Sequence, residues 1–100
     1  MAEGLEVQSD SDTIIRMLYF CERPRTTTQI MYYCSIDRAR VRKFTDHCLK
    51  RKLLRQAGVE YDQETFALTE HGSKTLATAI DIMKELDMDP SEVLNSPSKR

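Results

Sequence analysis

The stretch TTTQIMYYCSIDRARVRKFTDHCLKRKLL, Thr26 to Leu54, carries two short amphipathic segments joined by a tight polar turn. In the first, Ile30, Met31 and Cys34 share one side of a helix. Thr26, Thr27 and Thr28 each offer a hydroxyl to cap its start. The spacing predicts a helix over Thr28–Cys34. Ser35 and Ile36 leave room only for a turn. Asp37 then caps a longer helix, expected over Asp37–Lys52. At about 100° per residue its inward positions are Val41, Phe44 and Cys48, with Leu49 at the edge.

Working outward, Ile14, Ile15, Leu18 and Tyr19 give an upstream helix its apolar face, with Met17 and Cys21 beside them. Ser11 or Asp12 caps it, and Pro24 ends it by pushing Arg23 out of helical space. Residues 1–10 are polar, acidic and aperiodic, and read as a flexible arm. Downstream, Leu53–Arg55 and Thr65–Leu68 flank a polar loop containing Gly58. They read as a β-hairpin whose loop is longer than the tight two-residue kind. Thr69 caps a last helix, Glu70–Leu86, with Leu76, Ala79, Ile80, Met83 and Leu86 on one face and Ala77 and Ile82 widening it. After Asp89-Pro90 the chain is rich in Ser and Pro, and residues 89–100 read as a flexible tail. The expected domain is therefore 11–88, with its C-terminal helix at 69–88. It is mainly α with a small β-hairpin (α+β), in the order helix, helix, helix, hairpin, helix. That order is a helix-turn-helix with a wing.

Composition narrows the function classes. One hundred residues, 40% hydrophobic and 31% charged, make one globular domain with a thin core. No run approaches the ~18 apolar residues of a membrane span, and MAEGLEVQSDSD lacks the regions of a signal peptide. A cytoplasmic protein is expected. Cys21, Cys34 and Cys48 show no Cys-x-x-Cys spacing and sit in apolar patterns, so buried thiols are expected rather than zinc ligands. The net charge of -1 conceals an asymmetry. Glu22 to Arg55 holds ten basic residues against three acidic ones, a local +7, which leaves -8 for the rest. A concentrated basic block within an acidic chain is the footprint of an anion-binding face.

The quoted stretch resembles the helix-turn-helix of archaeal winged-helix DNA-binding proteins, and YDQETFALTEHGSKTL resembles their wing end and closing helix. Within it, Leu68 to Gly72 is similar to the "LT-x-x-G" join of many small winged-helix regulators. The likeness spans about three-fifths of the chain. It implies a transcription regulator or chromatin protein that binds double-stranded DNA as a homodimer through its last helix. The third helix then enters the major groove with Arg38, Arg40, Arg42, Lys43 and Lys50. Arg25, Thr26, Thr27 and Thr28 meet phosphate at the start of the second helix. The family's wing often has a basic tip. Here the loop carries Glu60, Asp62 and Glu64, so the third helix is the expected main contact.

The residue chemistry agrees with that reading. Guanidinium forks bond guanine O6 and N7 or grip phosphate. Helix-start N–H groups hold phosphate oxygens. Of the adjacent Tyr32 and Tyr33, one is expected in the core and one on the surface. His47 and His71 have no ligand spacing around them. No phosphate-cradling glycine loop, nucleophile elbow or paired-carboxylate motif occurs. No enzyme, metal, cofactor or obligatory small molecule is expected. The last helix is long for a thin core to cover, so Leu76, Ala79, Ile80, Met83 and Leu86 are assigned to a dimer interface. The alternative is a winged-helix module that binds protein within a larger complex.

Overall fold

The computed structural model describes residues 2–95, with side chains for 10–92 and 94. Its elements are α1 (Ala2–Phe20), β1 (Arg25–Thr26), α2 (Thr27–Cys34), α3 (Arg38–Lys50), β2 (Leu54–Glu60), β3 (Gln63–Leu68), α4 (Glu70–Glu85) and α5 (Pro90–Asn95). The expected series of three helices, a hairpin and a helix is present.

Each central helix starts on a side-chain cap. Thr26 Oγ1 accepts from Gln29 N at 3.1 Å, and Gln29 Oε1 accepts from Thr26 N at 2.9 Å. This reciprocal box selects Thr26 from the three threonines. Asp37 Oδ1 accepts from Arg40 N at 2.8 Å, as its sequence position predicts. The helices end without glycine. Ser35, Lys52 and Asp87 take left-handed φ of 58°, 62° and 64°. The next residue's N–H then reaches back: Ile36 to Met31 O, Leu53 to Cys48 O, Met88 to Met83 O. These are Schellman-type closures on residues that adopt them at a cost. They end α3 at Lys50 rather than Lys52.

The core gathers Met17, Leu18 and Cys21 of α1, Ile30 and Cys34 of α2, and Val41, Phe44 and Cys48 of α3. Leu53, Leu54, Phe66 and Leu76 close it from the sheet and α4. As expected of the tyrosine pair, Tyr32 is 78% exposed while Tyr33 turns inward. Tyr33 stacks on Phe20 with ring centroids 4.2 Å apart.

Five features differ from the expectation. The first helix begins at Ala2 rather than at Ser11 or Asp12. Residues 2–10 include Ala, Glu, Leu and Gln and no proline, so nothing in them stops a helix. Met1 lies outside the described residues. The hairpin turn is the tight kind after all. Glu60 pairs with Gln63, so only Tyr61 and Asp62 form the loop, with φ of 52° and 60°. That is the type I′ geometry usually signalled by Asn-Gly, and here it is not. An extra residue, Ala57, bulges β2 between Gln56 and Gly58, and Gly58 takes φ 143°. A third strand, β1, pairs Arg25 with Phe66 and Thr26 with Thr65, giving the order β1-β3-β2. Finally, 90–95 is helical rather than tail. Pro90 occupies the first helical position and Asp89 Oδ1 accepts from Ser91 N at 3.1 Å. Leu94 is 1% exposed, and its carbonyl accepts from the Tyr33 hydroxyl. Residues 96–100 lie outside the described residues.

One junction sets α3 against the hairpin. Thr69 Oγ1 donates to Lys52 O at 2.5 Å and accepts from Gly72 N at 2.9 Å. Thr69 N donates to Leu53 O at 3.2 Å, and Leu68 N to Cys21 O at 2.9 Å. A Cβ on Gly72 would overlap the Leu53 carbonyl oxygen and lie 2.9 Å from its carbon. Both atoms are backbone and cannot step aside. Gly72→Ala is therefore expected to cost about 1–3 kcal/mol of stability, the range for overpacking. Urea unfolding measures it, and an unchanged midpoint would refute this account of the junction.

Candidate nucleic-acid interface

Helix α3 divides cleanly. Val41, Phe44, Thr45 and Cys48 are buried, and Arg38, Arg40, Arg42, Lys43, Asp46, His47 and Lys50 are exposed. Its first turn holds Arg38 and Arg40 with no acidic residue after the Asp37 cap. Cations at the positive end of a helix oppose its dipole, typically by about 0.3–1 kcal/mol each. Their presence there suits an anionic partner better than it suits the helix. At the other end His47 and Lys50 agree with the dipole. Arg51, Lys52 and Arg55 follow and are all exposed. Sequence reasoning counted these three in the basic block but did not place them in the site. The run KRKLLR was the available signal.

The assigned residues do not all share one surface. Arg38, Arg42, Lys43 and Lys50 project from α3 with no ion pair among the described residues. Arg40 is turned toward α1, where its Nη2 lies 2.7 Å from Asp10 Oδ1. Its guanidinium carbon stands 5.2 Å from the centroid of the Phe44 ring. Both partners are roughly two-fifths exposed, so the pair is readily exchanged for another.

The second-helix group is partly engaged within the fold. Thr26 is only 2% exposed and serves as the cap. It has no surface to offer a phosphate. The Thr28 N–H and hydroxyl both donate to Gln63 Oε1, at 3.1 and 3.0 Å. The start of α2 is thus tied to β3, and two of its orphan donors are already used. Thr27 is half-buried. Arg25 Nε donates to Phe20 O at 2.8 Å while its guanidinium lies 4.0 Å over the Phe20 ring. Arg25 is a strut between β1 and α1.

The hairpin tip is acidic and apolar. Val59 and Tyr61 are 72% and 79% exposed, alternating with exposed Glu60, Asp62 and Glu64. No basic residue lies between Gly58 and Leu68.

A profile of the winged helix-turn-helix family matches residues 8–88. The chain belongs to that family. In this winged helix, α2 and α3 form the helix-turn-helix and β2–β3 the wing. Three solved structures share the fold. Sso10a-2, a DNA-binding protein from Sulfolobus solfataricus, superposes with a TM-score of 0.60 at 23% identity, covering 75% of this chain and 81% of that one. A MepR mutant from S. aureus, bound to an oligodeoxyribonucleotide, gives 0.62 at 13% identity over 98% and 79%. A mutant of ZitR from Lactococcus lactis, in apo form, gives 0.52 at 18% identity over 84% and 74%. No curated protein matches the sequence.

The closing helix of the winged helix corrects the assigned dimer surface. Leu76 and Met83 are buried at 3% and 8%, and Ile80 packs on the core. Helices α1 and α5 cover that side of α4. The apolar residues left outside are Ile82 (54%), Leu86 (65%) and Met88 (43%), with Ala79 half-buried beside them. Of the five assigned residues, only Ala79 and Leu86 belong to this outer stripe.

Among the described residues no helix is long and apolar enough to cross a membrane, and no cluster of His, Cys, Asp or Glu could hold a metal ion. The three thiols are buried. Desolvation pushes Cys21 up to about 12, with the Cys34 thiol adding to the shift, and pushes Cys34 and Cys48 up to about 11. A neutral thiol is a poor nucleophile and a poor ligand. The same shifts make the fold sensitive to alkali. An unfolded thiol ionises near its ordinary 9.0, well before the folded ones. Their contribution to stability is complete below pH 9 and declines as pH rises from there toward 11–12. Iodoacetamide near pH 8 should label all three cysteines in denaturant and none in the folded protein. Rapid labelling of the folded chain would contradict the burial.

Proposed function

We propose that this winged helix binds double-stranded DNA as a homodimeric, non-catalytic regulator in the cytoplasm, with α3 in the major groove. The observation that carries the reading is the exposed basic face of α3, where Arg38, Arg42, Lys43 and Lys50 make no ion pair among the described residues while the chain as a whole is acidic. Arg51, Lys52 and Arg55 extend that face toward phosphates flanking the groove. The DNA-binding description of Sso10a-2 and the oligodeoxyribonucleotide bound by MepR support the reading. Arg25 and Thr26 drop out of the proposed contact set, because one braces the fold and the other is buried. The acidic wing is repelled by phosphate and contributes little to affinity.

Several Lys and Arg contacts make affinity fall with salt, by a log–log slope of about -0.9 per phosphate neutralised. Gel-shift titrations on pooled duplex fragments at two salt concentrations measure it. Replacing Arg42 and Lys43 together by Ala should weaken binding at least about tenfold, or ~1.4 kcal/mol. No binding to any duplex at low salt, or full affinity in that variant, would overturn the assignment.

The homodimer rests on the outer stripe of α4. Ala79, Ile82 and Leu86 recur at spacings of three and four, the seam of paired helices. Burying an aliphatic side chain of this size is worth about 1.5–3 kcal/mol. A two-fold axis through the stripe would present two copies of α3 to one duplex. Leu86→Asp should yield monomers in analytical ultracentrifugation and leave the circular dichroism spectrum unchanged. A monomeric parent protein at tens of micromolar would remove the dimer.

One observation favours a second reading for the wing. Exposed Val59 and Tyr61 set among three carboxylates suit a basic protein surface, as in a module of a larger complex. Tyr61→Ala should then lose a protein partner while keeping its DNA affinity.

A further inference from the structure

DNA binding through α3 leaves the hairpin tip without a task. Tyr61 is 79% exposed and Val59 72%, among the exposed carboxylates of Glu60, Asp62 and Glu64. None of the three carboxylates makes an ion pair among the described residues, although Glu64 accepts from Gln56 Nε2 at 3.2 Å. The two-residue turn, closed by the pairing of Glu60 with Gln63, brings the Tyr61 ring and its flanking acids to one point of the surface.

A cleft of about 460 Å³ opens between α1 and α3. That lies within the range of roughly 300–1,000 Å³ that holds organic groups, so an aromatic ring fits. Ile14 and the buried Phe44 give it apolar walls. Lys43 and Lys50 line it from α3, both exposed and without an ion pair among the described residues. Asp10 and Asp46 line it as well. Asp10 is answered by Arg40, 2.7 Å away, whereas Asp46 makes no ion pair among the described residues. Two ammonium groups therefore stand beside one unanswered carboxylate. An apolar floor does not suit a bare anion. It suits a ring, with a hydroxyl for the carboxylate and negative charge beside the ring for the lysines.

We propose that the cleft seats the hairpin tip of a second copy of this chain. Tyr61 enters between Ile14 and Phe44, its hydroxyl donates to Asp46, and Glu60 and Asp62 pair with Lys43 and Lys50. The chain's own Tyr61 stands in solvent, so it leaves its own cleft open. The two surfaces are complementary in charge and are present in equal number wherever the protein is. With a net charge of -1, copies repel one another little. The contact rests on the protein-partner reading of the wing and names its basic surface. A hairpin tip makes a small interface, and the expected dissociation constant is on the order of 0.1 mM. Lys43 and Lys50 also belong to the proposed DNA contacts, so tip and duplex exclude one another there. That consequence rests on the DNA reading; the contact itself does not.

The test starts without DNA. Ordinary and heavy-isotope-labelled full chains are mixed in equal amounts at about 0.1 mM, near the expected dissociation constant, and coupled with a zero-length carbodiimide. Mass spectrometry should find amide bonds joining Glu60 or Asp62 of one isotope to Lys43 or Lys50 of the other. Raising the salt to about 0.5 M should lower their yield by screening the charges. Tyr61→Ala should lower it about fivefold, as loss of an aromatic anchor does. If alanine disturbs the left-handed turn, Tyr61→Asn tolerates that conformation and takes its place. Absence of such bonds between isotopes, coupling of the tip only to lysines outside α3, or an unchanged yield in whichever Tyr61 variant folds overturns the proposal. If a foreign basic protein captures the tip while copies of the chain do not, the wing reading stands and the proposal fails. Excess duplex should suppress the coupling. If no duplex binds under any condition, the DNA reading fails while the coupling without DNA still decides the cleft.

Discussion

The backbone carbonyl of Leu53 is the constraint on which the arrangement of the site depends. It accepts from Thr69 N and lies where any side chain on Gly72 would go. Through it, four chain segments meet: the end of α3, the start of β2, the end of β3 and the start of α4. Thr69 holds the junction from its other side through Lys52 O, and Leu68 N ties it to the end of α1 at Cys21 O. In the proposed DNA complex, α3 must keep its angle to the rest of the domain. Here that angle is set by backbone hydrogen bonds and a missing methyl group, which bend far less than side-chain packing does.

Much of this was legible in the sequence, because caps and core stripes leave strong local marks. Asp37 and Thr69 sit where a helix start needs an oxygen. Val41, Phe44 and Cys48 keep the 3.6-residue period that the core imposes. Gly72 closes the Leu68–Gly72 join on which the family resemblance partly rests. The hairpin was less legible for a physical reason. Its outer half is exposed on both faces, so Val59 to Glu64 show no alternation for burial to enforce. Its turn uses Tyr61 and Asp62 where glycine or asparagine would have announced a left-handed pair. Helix α5 was hidden in the same way. Six residues give too short a pattern to read, and what fastens it is distant: a buried Leu94 and the hydroxyl of Tyr33.

The proposed site was legible only in part, for one physical reason. A hydroxyl at a helix start and a guanidinium near it look the same in sequence whether they await a phosphate or a neighbouring carbonyl. Thr26 faces Gln29, Thr28 faces Gln63, and Arg25 faces Phe20. Only the fold distinguishes these satisfied groups from Arg38, Arg42, Lys43 and Lys50. The closing helix poses the same problem with apolar residues. Its apolar positions wrap more than one face, and periodicity alone does not say which part the protomer keeps. The chain keeps Leu76, Ile80 and Met83 because α1 and α5 lie there, which leaves Ile82, Leu86 and Met88 outside.

Arg40 shows how charge and fold are coupled in so small a domain. It sits in the first turn of α3, where the helix dipole disfavours a cation, and its fold-side partner is a carboxylate on α1. An exposed pair of this kind contributes little stability, at most about 1 kcal/mol. The side chain is therefore held in one place without being committed to it. Two acidic residues, Asp37 and Asp46, belong to α3 itself, and the other described ones lie elsewhere in the fold. Five Lys and Arg side chains against these two carboxylates leave α3 with a net positive charge, which the acidic total of the chain conceals.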